Sequence, residues 1–452
     1  MRPVCRLALS LILILIPSSR AAEPSFTRDV RPLLQRSCQG CHQPNLKMSG
    51  LDLTTYSGLV AGGKRGTGVK AAAPAESLIL KYINGDIKPQ MPIGQPALPA
   101  DQIAVVRDWI AAGAKDDSPA QTSTAAAPAV YSQAPVITAV AFSPAGSHLA
   151  VSAYREVLIV PVSGEGTPIR LSGLSERIHS IAFSPDGSRM IAAGGTPARF
   201  GEVQVWDVPA AKLLRSITLT GDTVFGASLS PDASTIAVGC ADNTVRVLDA
   251  NSGKELHRIG NHENWVLGTV FGKDGKRLVS VGRDRAAKLT DVGTGAFLEN
   301  INKLRGELTA IARHPSQDII VIAGEDRLPW VYKMDRPKNM KIADDTTMIR
   351  ELERQDGAVF ALAWSPDGSR IAVAGAGPEI TLYNAETGAR ERSLKGHKAG
   401  IYALAWSPDS KTLVSGGFDG QLRFYEAASG KLVRESIPVP LQTTSANTRA
   451  AQ

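Results

Sequence analysis

Residues 182–187 read Ala182-Phe183-Ser184-Pro185-Asp186-Gly187, and the phrase returns with drift along the rest of the chain. It appears as AFSPAG at 141–146, SLSPDA at 228–233, VFGKDG at 270–275, IARHPSQ at 311–317, AWSPDG at 363–368 and AWSPDS at 405–410. With Pro144, Pro185, Pro231, Lys273, Pro315, Pro366 and Pro408 in one slot, the spacings are 41, 46, 42, 42, 51 and 42 residues. Such a period marks one supersecondary unit repeated, here seven times. Proline presets φ in a tight turn, and Asp and Gly tolerate the turn's geometry. The flanking alternation, Ile178, Ile181 and Phe183 before the turn and Met190 and Ala192 after it, predicts a short strand on each side. Each unit therefore reads as a four-stranded antiparallel sheet.

Seven such sheets in sequence predict a β-propeller over residues 135–437. This part resembles the WD-repeat family, most clearly in Val203-Gln204-Val205-Trp206-Asp207 and in the last repeat, with Gly396-His397, Ser415, Asp419 and Phe424. The resemblance implies a structural hydrogen-bonded set of His, Ser and Asp within a blade, carried by His397, Ser415 and Asp419 and by His262, Ser280 and Asp284. Only one Trp-Asp dipeptide is present, so most blades rely on apolar packing. Either Ala129–Ser132 or Lys431–Ile437 can supply the outer strand that closes the ring, and the residues do not choose between them. Residues 438–452 are expected to form a disordered tail.

Composition limits what else the chain can be. With 452 residues, 42 Gly, 28 Pro and only 5% aromatics, a large all-helical protein is disfavoured. The net charge of +7 includes Arg2, Arg6 and Arg20, which belong to a segment expected to be removed, leaving +4. No polybasic tract remains, so nucleic acid is not an expected partner. Residues 1–21 have a basic start, the apolar run Leu7–Ile16 and small residues at Ser19 and Ala21, the layout of a cleavable signal peptide. The run is too short to span a bilayer, and no other stretch is long enough. The mature chain is expected to be exported, periplasmic or otherwise extracytoplasmic, without a transmembrane span.

Between that leader and the repeats, residues 25–115 read as a separate domain. Phe26, Val30, Leu33 and Leu34 recur at helical spacing, as do Ile103, Val106, Trp109 and Ile110, and the middle reads as irregular and Gly-rich. Residues 116–134 are small, polar and Pro-containing, which predicts a linker.

Directly after the leading helix stands Cys38-Gln39-Gly40-Cys41-His42. Cys-x-x-Cys-His is a c-type haem attachment pattern: two thiols bond the porphyrin edge while the adjacent imidazole turns onto the iron. A redox dithiol would want a βαβ setting, and a structural zinc would want further Cys or His ligands nearby. Neither is present, since the only other cysteine of the mature chain is Cys240, a predicted buried hydrophobe, and His42 is the only histidine before His148. Bis-histidine ligation within this domain is thereby excluded. Met48 lies six residues after His42 on the same local segment, whereas Met91 sits between prolines in Lys88-Pro89-Gln90-Met91-Pro92, a stiff loop suited to reach the opposite face. The expected set is Cys38 and Cys41 as covalent anchors of one haem c and His42 and Met91 as axial ligands. Thioether opposite imidazole favours electron transfer over oxygen chemistry. Gly62-Gly63-Lys64-Arg65-Gly66-Thr67-Gly68 lacks the ending of a phosphate loop and reads as a flexible loop over the haem. Lys47, Lys64, Arg65, Lys70 and Lys88 read as an ordinary solvated surface.

Residues 25–115 as a whole resemble the planctomycete-type cytochrome c domain, in Val30-Arg31-Pro32, Cys38–His42, Ser49-Gly50-Leu51-Asp52-Leu53, Gly62-Gly63, Ser77-Leu78-Ile79, Met91-Pro92 and Trp109. The resemblance implies a small helical mono-haem domain attached to other modules. The expected architecture is thus a small all-α cytochrome c domain followed by an all-β seven-bladed WD-repeat propeller. The expected function is one-electron transfer with an unidentified redox partner, the propeller serving as a protein-docking scaffold. The alternative is an oxidoreductase in which the propeller holds a second cofactor or active site, as in nitrite reductases that join a cytochrome c to a propeller. Inward-facing members of His148, His179, His257, His262, His314 and His397 would be needed for that.

Overall fold

The turn sequence Ser184-Pro185-Asp186-Gly187 folds as its chemistry demands. The Asp186 carboxylate accepts hydrogen bonds from the Ser184 hydroxyl and from the amide and hydroxyl of Ser188, and Gly187 turns left-handed at φ 71°. Ser230-Asp232, Ser365-Asp367 and Ser407-Asp409 repeat the motif, with Ala233 and Ser410 forced into the left-handed region that glycine occupies elsewhere. In blade five the His314 ring takes over, accepting from the Ser316 and Gln317 amides.

These turns knit a computed structural model that describes residues 23–43, 46, 48–117, 127–335 and 345–442. The expected leader (1–21) lies outside the described residues, as do 118–126 of the expected linker and 443–452 of the expected tail. Residues 140–436 form a seven-bladed β-propeller, seven sheets each of four consecutive antiparallel strands. The first strands of successive blades touch around the ring, so the chain runs outward in every blade. In blades two to seven a β-bulge falls at the start of the inner strand, as between Val359 and Ala361. Cores lie between blades: Val279, Val281, Ile320 and Ile322 fill the layer between blades four and five.

The outer strand of the last blade is Leu432–Ser436, paired with Leu422–Glu426. The other candidate, Ala129–Ser132, joins no sheet. Closure is by packing of Ile137, Leu149 and Val151 against Val414 and Leu422, across blades one and seven. Tyr131 instead makes a single parallel bridge to Leu441, donating its amide to the Pro440 carbonyl at 2.8 Å. Its hydroxyl donates to the buried Glu156 carboxylate, which Arg170 also engages, and Arg170 binds the Pro128 and Ala129 carbonyls. Residues 438–442, expected as the start of a loose tail, are therefore part of a clasp, with Val439 buried beside Tyr131.

Ahead of the ring is a small helical region. A π-helical turn, Phe26–Val30, runs into α1 (Arg31–Ser37), with Pro32 in the first turn where its missing N–H costs nothing. The middle, read from sequence as irregular, contains α2 (Tyr56–Ala61), capped by the Thr55 hydroxyl, and α3 (Leu78–Asn84), ended by left-handed Gly85. Six or seven residues are too few for helical periodicity to show. The closing helix α4 (Ala100–Ala111) buries Val106, Trp109 and Ile110. Phe26 packs edge-on to Tyr56 at 5.3 Å and against Trp109 at 5.5 Å, and the Trp109 indole donates to the Lys115 carbonyl. No helix among the described residues is long and apolar enough to cross a membrane.

Candidate functional site

Helix α1 delivers the chain to Cys38 at its C-terminus, where the amides of Cys38 and Gln39 close on the Leu34 carbonyl. The next turn, Cys41 and His42 amides onto the Cys38 carbonyl, places both thiols and the imidazole on one wall of a largely apolar cavity of about 420 Å³. The wall is tied back by Gln39, whose side-chain amide donates to the Leu53 carbonyl at 2.8 Å.

His42 is oriented by the backbone. Its Nδ1 donates to the Met48 carbonyl at 3.1 Å, which fixes the tautomer and leaves Nε2 as an acceptor. Burial pushes the His42 pKa below its ordinary value, so the ring is held neutral, as a metal ligand must be. Met48 engages His42 through its carbonyl; the residue is 48% exposed and also lines the cavity, on the same segment as His42. Met91 lines the same cavity from a different element: its amide donates to the Tyr82 carbonyl at the end of α3, and Gln90 holds the Ile83 carbonyl. The structure therefore brings Cys38, Cys41, His42 and Met91 to the lining of one cavity.

The two thiols form no disulfide. Burial raises the Cys38 pKa to about 12, with the neighbouring Cys41 adding to it. Burial also raises Cys41, though the Arg215 guanidinium pulls the other way. A redox dithiol depends on a stabilised thiolate, so this environment suits covalent attachment better than thiol exchange. The donor set fits a haem c: two thiols on one wall, an imidazole with its outer nitrogen anchored, a thioether from another element, and Leu46, Leu53, Leu59, Ile79 and Ile83 around the space.

The glycine-rich loop also lines the cavity and is locally hydrogen-bonded. The amides and carbonyls of Gly63 and Gly66 bond each other reciprocally, and the Lys64 amide donates to the Ser49 carbonyl. A Cβ on Gly62, at φ 75°, would meet the Gly66 carbonyl oxygen at 2.0 Å, and one on Gly68 would meet that of Leu59 at 2.2 Å. These glycines permit close backbone approach. Lys64 and Arg65 are exposed, Arg65 donates to the Tyr82 hydroxyl, and Lys70 pairs with Glu76; Lys47 lies outside the described residues.

One wall was invisible in the sequence. Helix α1 packs on the outer strand of blade two, Lys212–Thr220, and Leu214–Thr218 with Ser252 and Gly253 of the next blade line the cavity. A Cβ on Gly40 would meet the Ser216 carbonyl oxygen at 2.2 Å, so the attachment motif itself abuts the propeller. No motif announces such a contact, because the partners lie about 175 residues apart.

The propeller histidines go to separate places. His262 Nδ1 lies 2.9 Å from the Asp284 carboxylate and its Nε2 2.7 Å from Ser280 Oγ, the expected set. His397 reaches Ser415 at 2.7 Å, but Arg423 inserts between it and Asp419, donating to both, which leaves His397 and Asp419 3.4 Å apart. His179 packs at a tilt against Phe225, His314 packs edge-on to Trp364, His257 bonds the Gly293 carbonyl and His148 bonds Ser147. Cys240 is fully buried, with its thiol pushed up to about 12 by that burial.

Comparison with known proteins agrees with this division. Residues 212–249, 253–291 and 388–426 match the WD domain, G-beta repeat, and 311–399 match the anaphase-promoting complex subunit 4 WD40 domain. Residues 38–92 match the family Planctomycete cytochrome C. Protein HIR1 of Aspergillus oryzae is 26% identical over 280 residues, covering 51% of this chain and 26% of that protein. Autophagy-related protein 16 of Arabidopsis thaliana is 21% identical over 232 residues, covering 50% and 43%. The chain thus spans about a quarter of the HIR1 proteins it matches. The matched repeats lie within the propeller.

Proposed function

We propose that the protein is an exported c-type cytochrome that passes single electrons to and from a partner protein, with its propeller as the docking scaffold. The observation that carries this reading is the convergence of Cys38, Cys41, His42 and Met91 on one apolar cavity, with His42 Nδ1 bound to the Met48 carbonyl. Cys38 and Cys41 would hold one haem by thioether bonds, and His42 and Met91 would take the two axial positions. The bound group supplies a reversible one-electron couple.

The chain's own residues do the rest. The Met48 carbonyl keeps His42 in its metal-binding tautomer, and the Tyr82 carbonyl keeps the Met91 loop in place. Leu53, Leu59 and Ile83 exclude water, which favours the less charged ferrous state. The match of residues 38–92 to Planctomycete cytochrome C supports the assignment, and the basic, apolar leader at 1–21 supports export, the setting in which a covalently held haem is useful. The test is ligand replacement: Met91→Ala in the haem-loaded protein should abolish the methionine-to-iron charge-transfer band while leaving the pigment attached. A band that survives the substitution removes Met91 from the set.

A further inference from the structure

The propeller is more than an attached scaffold at this site. Strand Lys212–Thr220 lays Leu214, Arg215, Ser216, Ile217 and Thr218 along the cavity, in contact with the Cys-x-x-Cys-His turn through Gly40. Of these residues only Arg215 is charged. Its Nε donates to the Asn251 carbonyl, and its stem lies against Gly253, whose added Cβ would be 3.6 Å from Arg215 Cδ, so the guanidinium is held in the wall.

We propose that this wall sets the reduction potential of the group bound in the cavity, with Arg215 as the potential-setting residue supplied by the propeller. The inference rests on the haem reading above. Oxidation adds one positive charge to the iron, and a half-buried cation held at the cavity wall opposes that gain, so Arg215 favours the reduced state. The other charges around the wall can be named. Arg36 of α1 and Arg65 of the glycine loop also line the cavity, and Arg31 of α1 faces Arg199 of blade two. Asp249 lies near Arg215 but is engaged by the amide and hydroxyl of Ser252. Behind the strand, Glu202 is fully buried and accepts from Ser216, Ser175 and Gln204. Arg215 alone brings the charge of the propeller onto the cavity face.

The experiment compares the full-length, haem-loaded protein with Arg215→Gln and Arg215→Lys by spectroelectrochemical titration, with haem stoichiometry and the methionine charge-transfer band recorded for each. Arg215→Gln should shift the ferrous-to-ferric ratio at a fixed applied potential toward ferric by roughly threefold to tenfold, and Arg215→Lys should stay near the parent. An unchanged potential in Arg215→Gln overturns the proposal, and so does an equal fall in both variants, since that would be a packing effect and not a charge effect. A parent protein without covalent haem would instead defeat the underlying reading, which keeps the two failures distinct.

Discussion

In the propeller the layers between blades are filled: Val279, Val281, Ile320 and Ile322 between blades four and five are fully shielded, as are Leu149, Val151, Val414 and Leu422 where the ring closes. In the helical region one side of the core is equally tight, with Phe26, Leu34, Trp109 and Ile110 packed together, but the other side opens on a cavity of about 420 Å³. Leu53, Leu59 and Ile83 belong to both the core and the cavity wall. The propeller's sequence completes its own core, whereas that of the helical region leaves a largely apolar space beside it. The two regions are thus distinguishable by packing alone.

The largest effect that sharpens this contrast is removal of both anchors. Cys38→Ala with Cys41→Ala should eliminate covalently held pigment completely and lower the melting transition of the helical region, leaving the propeller transition in place; calorimetry with haem staining reads both. Equal destabilisation of both transitions would break the distinction.

Next is Trp109→Ala, which deletes the centre of the filled side and should cost about 3–5 kcal/mol in denaturant unfolding of the helical region. Gly62→Ala acts on the open side, where the added Cβ meets the Gly66 carbonyl at φ 75°. It should cost about 2–3 kcal/mol and perturb the haem spectrum; a variant of parent stability and spectrum would show that the loop yields.

The two histidine sets of the propeller separate by pH. Burial first, and Arg423 second, depress the His397 pKa from 6.5 to about 4. The unfolded chain therefore takes up this proton before the folded one does. The stability His397 contributes is full above about pH 6.5 and is lost as pH falls toward 4, by at most about 3 kcal/mol. Asp284 behaves differently: burial raises its pKa, but His262, the Glu263 amide and Lys288 outweigh that and hold it at about 2, so its contribution is lost only below pH 3.8. Unfolding at pH 7 and pH 5 should show a smaller pH effect in His397→Gln than in the parent, and an identical slope in both would refute the assignment.

The smallest expected effect lies in the turns. Ala233 and Ser410 occupy left-handed positions at φ 56° and 61° where other blades use glycine. Ala233→Gly should stabilise the propeller by up to about 1 kcal/mol, the relief of left-handed strain less the entropy of a freer unfolded chain. A destabilised variant would show that the methyl packs usefully.

What was legible in the sequence follows the range of the interactions. The blades could be counted because each turn is built locally, Asp186 closing on Ser184 and Ser188 within five residues. The cysteines and His42 were legible for the same reason. Helices α2 and α3 were missed because fewer than two turns carry no readable period, and the glycine loop's close backbone contacts were not foreseen because glycine for close approach and glycine for flexibility look alike in text. The closing strand was undecidable since both candidates are short; the pairing of Leu432–Ser436 with Leu422–Glu426 settles it. Arg423 between His397 and Asp419, and the blade-two wall at Gly40, arise from contacts between distant segments that no local pattern records.

The most direct test of the central claim is the denatured, acid-acetone-extracted protein after export in a host with a working haem-maturation system. The account predicts one haem per chain that stays with the polypeptide, and a mass increased by that group on the segment containing Cys38 and Cys41. A colourless chain, or a pigment that passes wholly into the acetone, would contradict it.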